Sequence, residues 1–204
     1  KQLRVYILCI TLIAQFSMLA QDPQLSQYYA APVYLAPSFA GSTQGTRATL
    51  TFRDQWPSIK GTFVSALFTV DHFYSPMSSG FGMFVMKDYA GSGKISFTEI
   101  GLAYSYNIQI NKKLSFIPGI GPSFYNKSIN YDKIYFSDQI VNGEITPQSI
   151  ETVGDKYPWH TDLNMSALFY NNKIWLGSSL NHLMKLNPQF NDDASYLPLK
   201  FMVY

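Results

Sequence analysis

The side chains that could perform chemistry are three histidines, a scatter of carboxylates and many serines. His72, His160 and His182 lie far apart in the sequence, and none has the spacing of a metalloprotease or metal-binding motif. The loop carboxylates, Asp192 and Asp193 among them, lack the spacing of an EF-hand. A histidine without such partners usually packs at a surface, so these residues predict no metal site.

Motifs for phosphate binding and nucleophilic catalysis are also missing. The stretch Gly119-Ile120-Gly121 lies within a predicted strand and precedes no helix, so it is not a phosphate loop. No serine lies in a Gly-x-Ser-x-Gly elbow, although the fold could still bring a serine and a histidine together. We therefore predict that the chain is not an enzyme and carries no cofactor.

The composition excludes intrinsic disorder and nucleic-acid binding. Of the 204 residues, 47% are hydrophobic and only 14% are charged, against about 25% charged in an average soluble domain. Aromatic residues make up 16%, which excludes intrinsic disorder of the chain as a whole. The formal net charge of +2 supplies no basic surface for phosphates, which excludes nucleic acid as a partner.

Residues 1–20 have the pattern of a cleavable signal peptide. Lys1 and Arg4 precede an apolar run over 5–14, which is shorter than the roughly 20 residues that a membrane-spanning helix needs. The only cysteine, Cys9, lies in this leader, so we expect no disulfide or thiolate metal site in the mature chain.

After the leader the residues alternate with period two, which is typical of strands with one apolar face and one small or polar face. The clearest run places large apolar residues on one face: Ile100, Leu102, Tyr104, Tyr106 and Ile108. Small or polar residues alternate with them: Gly101, Ala103, Ser105 and Asn107. Such runs predict eight strands, over about 46–53, 63–71, 80–87, 96–109, 114–126, 161–170, 174–182 and 197–204.

The connections between these strands sort by length. Tight turns are predicted at 111–113 and 171–173, because asparagine tolerates positive φ. The longer connections all fall at the opposite rim: 54–62, 88–95, 127–160 and 183–196. Since this sorting is typical of outer-membrane proteins, we predict an all-β, antiparallel transmembrane β-barrel over 46–204. A lipocalin-like soluble barrel would also show the alternation.

The segment over 21–45 fits neither a strand nor a helix, because Pro23, Pro32 and Pro37 would interrupt both. Its aromatic residues predict an ordered, irregular element that either plugs the lumen or lies at the periplasmic rim. Small inward residues favour an occupied lumen, since a barrel lined only by them would contain voids. These residues are Gly101, Ala103, Ser105, Gly119, Gly121, Ser123, Gly177 and Ser179.

A series of short motifs runs along the mature chain. Its positions are Asp22, Pro23, Gln27, Tyr28, Pro37, Gly41, Arg53, Asp54, Gln55, Trp56, Pro57, Gly91, Asp138, Gln139, Asn181 and His182. In identity and order these motifs resemble those of the PorP/SprF family, which belongs to the type IX secretion and gliding apparatus of Bacteroidetes. One departure is Ala36, where the family usually has asparagine.

The resemblance implies a component of the type IX secretion system in the cell outer membrane, exported through its signal peptide. It implies that the partners are outer-membrane lipid, other secretion components and adhesin-like cargo. The motif positions would then be structural or partner-binding residues, none of them catalytic or metal-binding. A small porin or an outer-membrane lipid hydrolase is the alternative.

The resemblance also bears on the number of strands. Family chains are typically longer, and Tyr204 ends the sequence inside a predicted strand. We therefore expect a chain that is truncated at its C-terminal end. Its sheet should be an open one of about eight strands, with the first and the last unpaired.

Overall fold

The structure is a computed structural model. It describes residues 25, 27–58, 61–91, 95–129, 140–141, 144–145, 158–171, 173–184 and 198–204. The helical elements are a 3-10 turn at Tyr28–Ala30, the helix α1 at Pro32–Leu35, and 3-10 turns at Pro37–Phe39 and Ser75–Met77. No helix in the described part of the chain is long and apolar enough to cross a membrane.

The remaining elements are strands. They are β1 (Thr46–Gln55), β2 (Phe63–Tyr74), β3 (Ser79–Ala90), β4 (Ile95–Tyr106), β5 (Ile108–Gln109), β6 (Leu114–Ile129), β7 (Ile140–Val141), β8 (Glu144–Ile145), β9 (His160–Asn171), β10 (Trp175–Asn181) and β11 (Lys200–Val203). Six of these strands, β1, β2, β3, β4, β6 and β9, have ten residues or more, whereas only three of the predicted strands were that long.

Nine strands form one antiparallel sheet, in the order β1-β2-β3-β4-β6-β9-β10-β11 with the short β5 on β6. Strands β7 and β8 pair separately as a small hairpin that the sequence did not predict. Among the described residues β1 does not pair with β11, so the sheet is not closed. This confirms the predicted all-β fold of eight main strands in chain order, consistent with an open barrel.

Alternate residues of each strand lie on opposite faces of the sheet. In β4, Gly101, Ala103 and Ser105 are buried, whereas the neighbours at 102, 104 and 106 are exposed. We call the surface with Gly101, Ala103 and Ser105 the packed face, and the opposite surface the apolar face. The exposed side chains of the apolar face include Leu50, Phe68, Phe81, Leu102, Phe124 and Phe169. The predicted face assignment is confirmed.

The two ends of the sheet differ in their connections. At the end that we call the turn side, β2 joins β3, β5 joins β6 and β9 joins β10 through short turns. Asn111 stabilises its turn with its side chain and not through positive φ: its Oδ1 accepts the N–H groups of Lys113 and Leu114 at 2.8 and 2.9 Å. Asn171 forms the same bonds with Lys173 and Ile174.

The opposite end, the loop side, carries the long connections at 130–159 and 182–199. The prediction of a long connection at 88–95 was wrong, because β3 extends to Ala90 and β4 begins at Ile95. Polar residues suggested a loop there, but they pair across the ladder: Asp88 accepts a hydrogen bond from Ser65, and Lys87 donates one to Thr98.

Candidate functional site

Residues 27–45 lie against the packed face of the sheet and form the candidate site; we call them the N-terminal segment. Proline occupies the first position of α1 and of the turn Pro37–Phe39, where its fixed φ suits a helical start and its missing N–H is not needed. Ala31, Ala36 and Ala40 are almost fully buried, so the segment is enclosed at these three positions.

The small residues of the packed face leave room for this backbone. A Cβ added to Gly80 would collide with the carbonyl group of Ala40, and one added to Gly119 would collide with the backbone of Ser38. Neither atom belongs to a flexible side chain that could move aside. Gly119 is one of the small inward residues that the sequence singled out, whereas Gly80 is not among them.

Two hydrogen bonds join the backbone of the segment to serines of the sheet. The N–H of Ser38 donates to Ser166 Oγ at 2.8 Å, and Ser105 Oγ donates to the carbonyl oxygen of Ala40 at 2.8 Å. A buried backbone group without a partner would be costly, and these serines supply partners that an irregular segment cannot find within itself.

A buried carboxylate holds the C-terminal part of the segment. Asp71 in β2 has no exposed side-chain surface, and its Oδ2 accepts the N–H of Gly41 at 2.8 Å. Arg47 in β1 donates Nε to Oδ1 at 2.9 Å and Nη2 to Oδ2 at 3.1 Å. Gly41 has a φ of +69°, which glycine adopts without strain. The carboxylate thus links the segment to the first two strands.

Apolar contacts complete the packing of the segment. Ala31 of the segment and Leu25, which precedes the segment, share a buried cluster with Leu67, Phe84 and Met86 of the sheet. The ring of Tyr34 lies edge-on to that of Phe84, with centroids 5.2 Å apart, which is a favoured aromatic geometry. Such burial gives the segment a defined position rather than a loose one.

A cavity of about 480 Å³ opens beside the segment at the turn side. Its walls are mostly apolar and include Tyr29, Leu35, Phe39, Ile117, Leu168 and Trp175. The ring of Phe39 lies 5.7 Å from that of Trp175 and 5.4 Å from that of Tyr204. A cavity lined in this way suits an apolar group and offers few polar atoms for chemistry.

A second polar pair lies at the loop side. His182, which follows β10, has its Nδ1 2.8 Å from Oδ2 of the nearly buried Asp162 in β9. Asp162 Oδ1 also accepts the N–H of Leu163 at 2.7 Å. An imidazole oriented by a carboxylate can serve as a general base, and the same bond attaches the end of β10 to β9. Among the described residues no three His, Cys, Asp or Glu side chains lie close enough together to hold a metal ion.

The motif positions of the N-terminal part lie in the segment where they are described. Pro37 and Gly41 lie at its contacts with the sheet, Gln27 is exposed, and Tyr28 begins the first 3-10 turn. Four positions lie outside the described residues: Asp22, Pro23, Asp138 and Gln139.

The other motif positions lie at the loop side. Arg53 donates a hydrogen bond to Gln55 at the end of β1, where Asp54 is exposed. Trp56 packs edge-on against Phe63 with ring centroids 5.7 Å apart, and the exposed Pro57 follows it. Gly91 connects β3 to β4, and Asn181 ends β10 just before His182. The structure therefore divides the motif positions between the segment and the loop side.

Several residues of the site were missed by the sequence reasoning. Arg47, Asp71 and Ser166 belong to no motif that was singled out, although Asp71 alternates in phase with the inward Leu67 and Thr69. A carboxylate at an inward strand position is the signal that could have identified it, because a buried charge requires a partner.

Comparison with known proteins gives one family. The family model described as type IX secretion system membrane protein PorP/SprF matches residues 17–204. Neither the curated proteins nor the solved structures gave a match. The match covers nearly the whole chain and agrees with the open antiparallel sheet. The chain belongs to the PorP/SprF family of type IX secretion system membrane proteins.

Proposed function

We propose that the protein is an outer-membrane component of the type IX secretion system that assists the secretion or the surface anchoring of specific, adhesin-like cargo proteins, including those used in gliding. The family match over 17–204 is the observation that carries this proposal. In this proposal, residues 1–20 are the signal peptide for export. The chain binds lipid, secretion components and cargo, and it needs no catalytic step or cofactor of its own.

The apolar face supports a location in lipid. Leu102 is 54% exposed and Phe124 47% exposed at neighbouring strands, and further large side chains continue this surface across the sheet. Soluble monomers rarely expose contiguous apolar patches of more than a few hundred Å². Side chains of this kind are the ones that an outer-membrane barrel presents to lipid.

The packed face supports a structural use of the N-terminal segment. Its hydrogen bonds to Asp71, Ser105 and Ser166 and its buried alanines make the segment part of the fold. We propose that it acts as a plug in the lumen, so that the protein is not an open porin.

Deletion of the gene tests the proposal. It should abolish the surface appearance of a specific secreted protein while the outer membrane keeps its barrier to large antibiotics. Expression of the intact gene from a plasmid should restore that protein. Normal secretion of all type IX cargo in the deletion strain would contradict the proposal.

An outer-membrane lipid hydrolase is the second candidate, because the Asp162–His182 pair resembles two of the three members of a hydrolytic triad. Lipid hydrolysis by the purified protein that is lost in the His182→Ala variant would favour this candidate. Conductance of the intact protein in planar bilayers would favour a porin.

A further inference from the structure

The turn side of the sheet carries more positive than negative side chains. None of the aspartates and glutamates lies in 73–80, 106–118 or 168–177, which are the strand ends and turns of this side, nor in 27–45. Lys112, Lys113 and Lys173 lie in two of the three turns, and all three are exposed. Among the residues that the structure describes, these strand ends and turns therefore present positive charge with no carboxylate side chain to neutralise it.

The same turns also expose large apolar side chains. Met77 and Ile110 are each 54% exposed and Ile174 is 70% exposed, one at each turn. The asparagine bonds described above hold the lysine and apolar positions of two turns in a fixed geometry. Fixed apolar groups beside cationic groups are a feature of recognition surfaces, because they lose little conformational freedom on binding.

The apolar cavity lies between the N-terminal segment and the strand residues next to these turns, among them Phe73, Tyr170 and Trp175. Tyr29 is 65% exposed and Trp175 is 53% exposed at its walls, and both belong to the packed side and not to the apolar face. Because the cavity lies on the packed side, lipid that covers the apolar face would not contact these two residues. The position of the cavity thus favours a protein segment over lipid.

We propose that the turn side is a docking surface for an acidic segment of a periplasmic protein, which places a large apolar side chain in the cavity beside Trp175 while its carboxylates contact Lys112, Lys113 and Lys173. The proposal rests on the proposed function, since the turn side faces the periplasm only if the protein lies in the outer membrane, where short turns are periplasmic. Charge complementarity would mainly set the rate and specificity of docking, and the cavity contact its lifetime.

Trp175 supplies a local probe, because Trp56 and Trp159 lie at the loop side. The full-length protein with Trp56→Phe and Trp159→Phe is placed in lipid nanodiscs and titrated with a short glutamate-rich peptide that carries leucines. We expect a saturating blue shift of Trp175 fluorescence as water leaves the cavity. The same peptide with serine in place of leucine should bind more weakly and give no shift.

Charge reversal tests the lysines. The triple variant Lys112→Glu, Lys113→Glu and Lys173→Glu should weaken peptide binding by about tenfold or more, whereas the matched arginine variant should retain it. Equal binding by the two variants, or no binding of the peptide to the starting protein, would overturn the proposal. If the reversal changes only the association with vesicles that contain phosphatidylglycerol, the lysines serve a lipid surface and the proposal is wrong.

A cellular experiment separates this inference from the proposed function. The charge-reversed protein should reach the outer membrane in normal amount but fail to restore cargo display to the deletion strain, while the arginine variant restores it. If deletion abolishes display but the charge-reversed protein restores it, the docking surface is wrong and the proposed function stands. If deletion has no effect on display, the proposed function itself fails.

Discussion

The packed face and the apolar face are formed by alternate residues of the same strands, yet one is buried and the other is exposed. Ala103 is buried under the N-terminal segment, whereas its neighbour Leu102 is 54% exposed. The packed face uses glycine, serine and one paired carboxylate to admit an irregular backbone. The apolar face carries large side chains, and in the described part of the chain no other element packs against it. The difference shows that the residues of the packed face are suited to close contact with the segment. Those of the apolar face are suited to an apolar surrounding outside the protein.

The largest expected effect is on the packed face, at the buried carboxylate. Asp71→Ala would remove the carboxylate that pairs with the Arg47 guanidinium and accepts the N–H of Gly41, at a cost of about 3–5 kcal/mol in the free energy of unfolding. Urea unfolding from lipid vesicles measures it. Asp54→Ala, at an exposed position of β1, is the control and should have little effect. Equal values for the two variants would mean that the carboxylate does not hold the segment.

The second largest effect is expected from a charged residue on the apolar face. Leu102→Lys should cost about 2–4 kcal/mol if the residue lies near the bilayer midplane, because the ammonium group would enter hydrocarbon. Ile108→Lys lies closer to the turns and should cost only about 0–1 kcal/mol. Folding yields into bilayers with and without urea measure both. A position-independent cost would argue against a membrane on this face.

A smaller effect tests the close fit of the segment. Gly119→Ala places a methyl group against the backbone of Ser38, and overpacking of this kind typically costs about 1–3 kcal/mol. Gly45→Ala is the matched control, since its nearest heavy atom, the carbonyl oxygen of Thr43, lies 4.0 Å from the added Cβ. Thermal melting should separate the two variants, and coincident melting curves would contradict the fit.

The smallest effect concerns a single hydrogen bond. Ser166→Ala removes the acceptor of the Ser38 N–H and should cost about 1 kcal/mol. Amide hydrogen exchange should accelerate at Ser38 and remain unchanged at Leu180 within the ladder of β9 and β10. Unchanged exchange at Ser38 would show that the segment has another anchor there.

The sequence predicted the parts of the fold that depend on period-two alternation. The strands, their order and the opposite faces of Leu102 and Ala103 follow from it, because alternate side chains must point to opposite sides. Connections were predicted less well. The end of β3 was placed at 87 and not at Ala90, since a polar residue that pairs across a ladder, such as Asp88, looks in the sequence like a loop residue.

The candidate site could be predicted only in outline. The small inward residues indicated that something fills the packed side, but not that Gly119 meets Ser38 or that Ser105 meets Ala40. These contacts join residues that are far apart in the sequence, and an irregular segment has no periodicity from which its path could be derived. Asp71 was missed for the same reason, because its partners Gly41 and Arg47 lie in other elements.

Cysteine labelling at adjacent positions of β4 tests most directly whether lipid and the N-terminal segment cover opposite faces. In a Cys9→Ser background in lipid bilayers, Leu102→Cys should react with a lipid-soluble maleimide and not with a water-soluble one. Ala103→Cys should react with neither, until Asp71→Ala releases the segment and exposes it to the water-soluble reagent. Equal reaction of both cysteines with the water-soluble reagent in the otherwise intact protein would contradict the account.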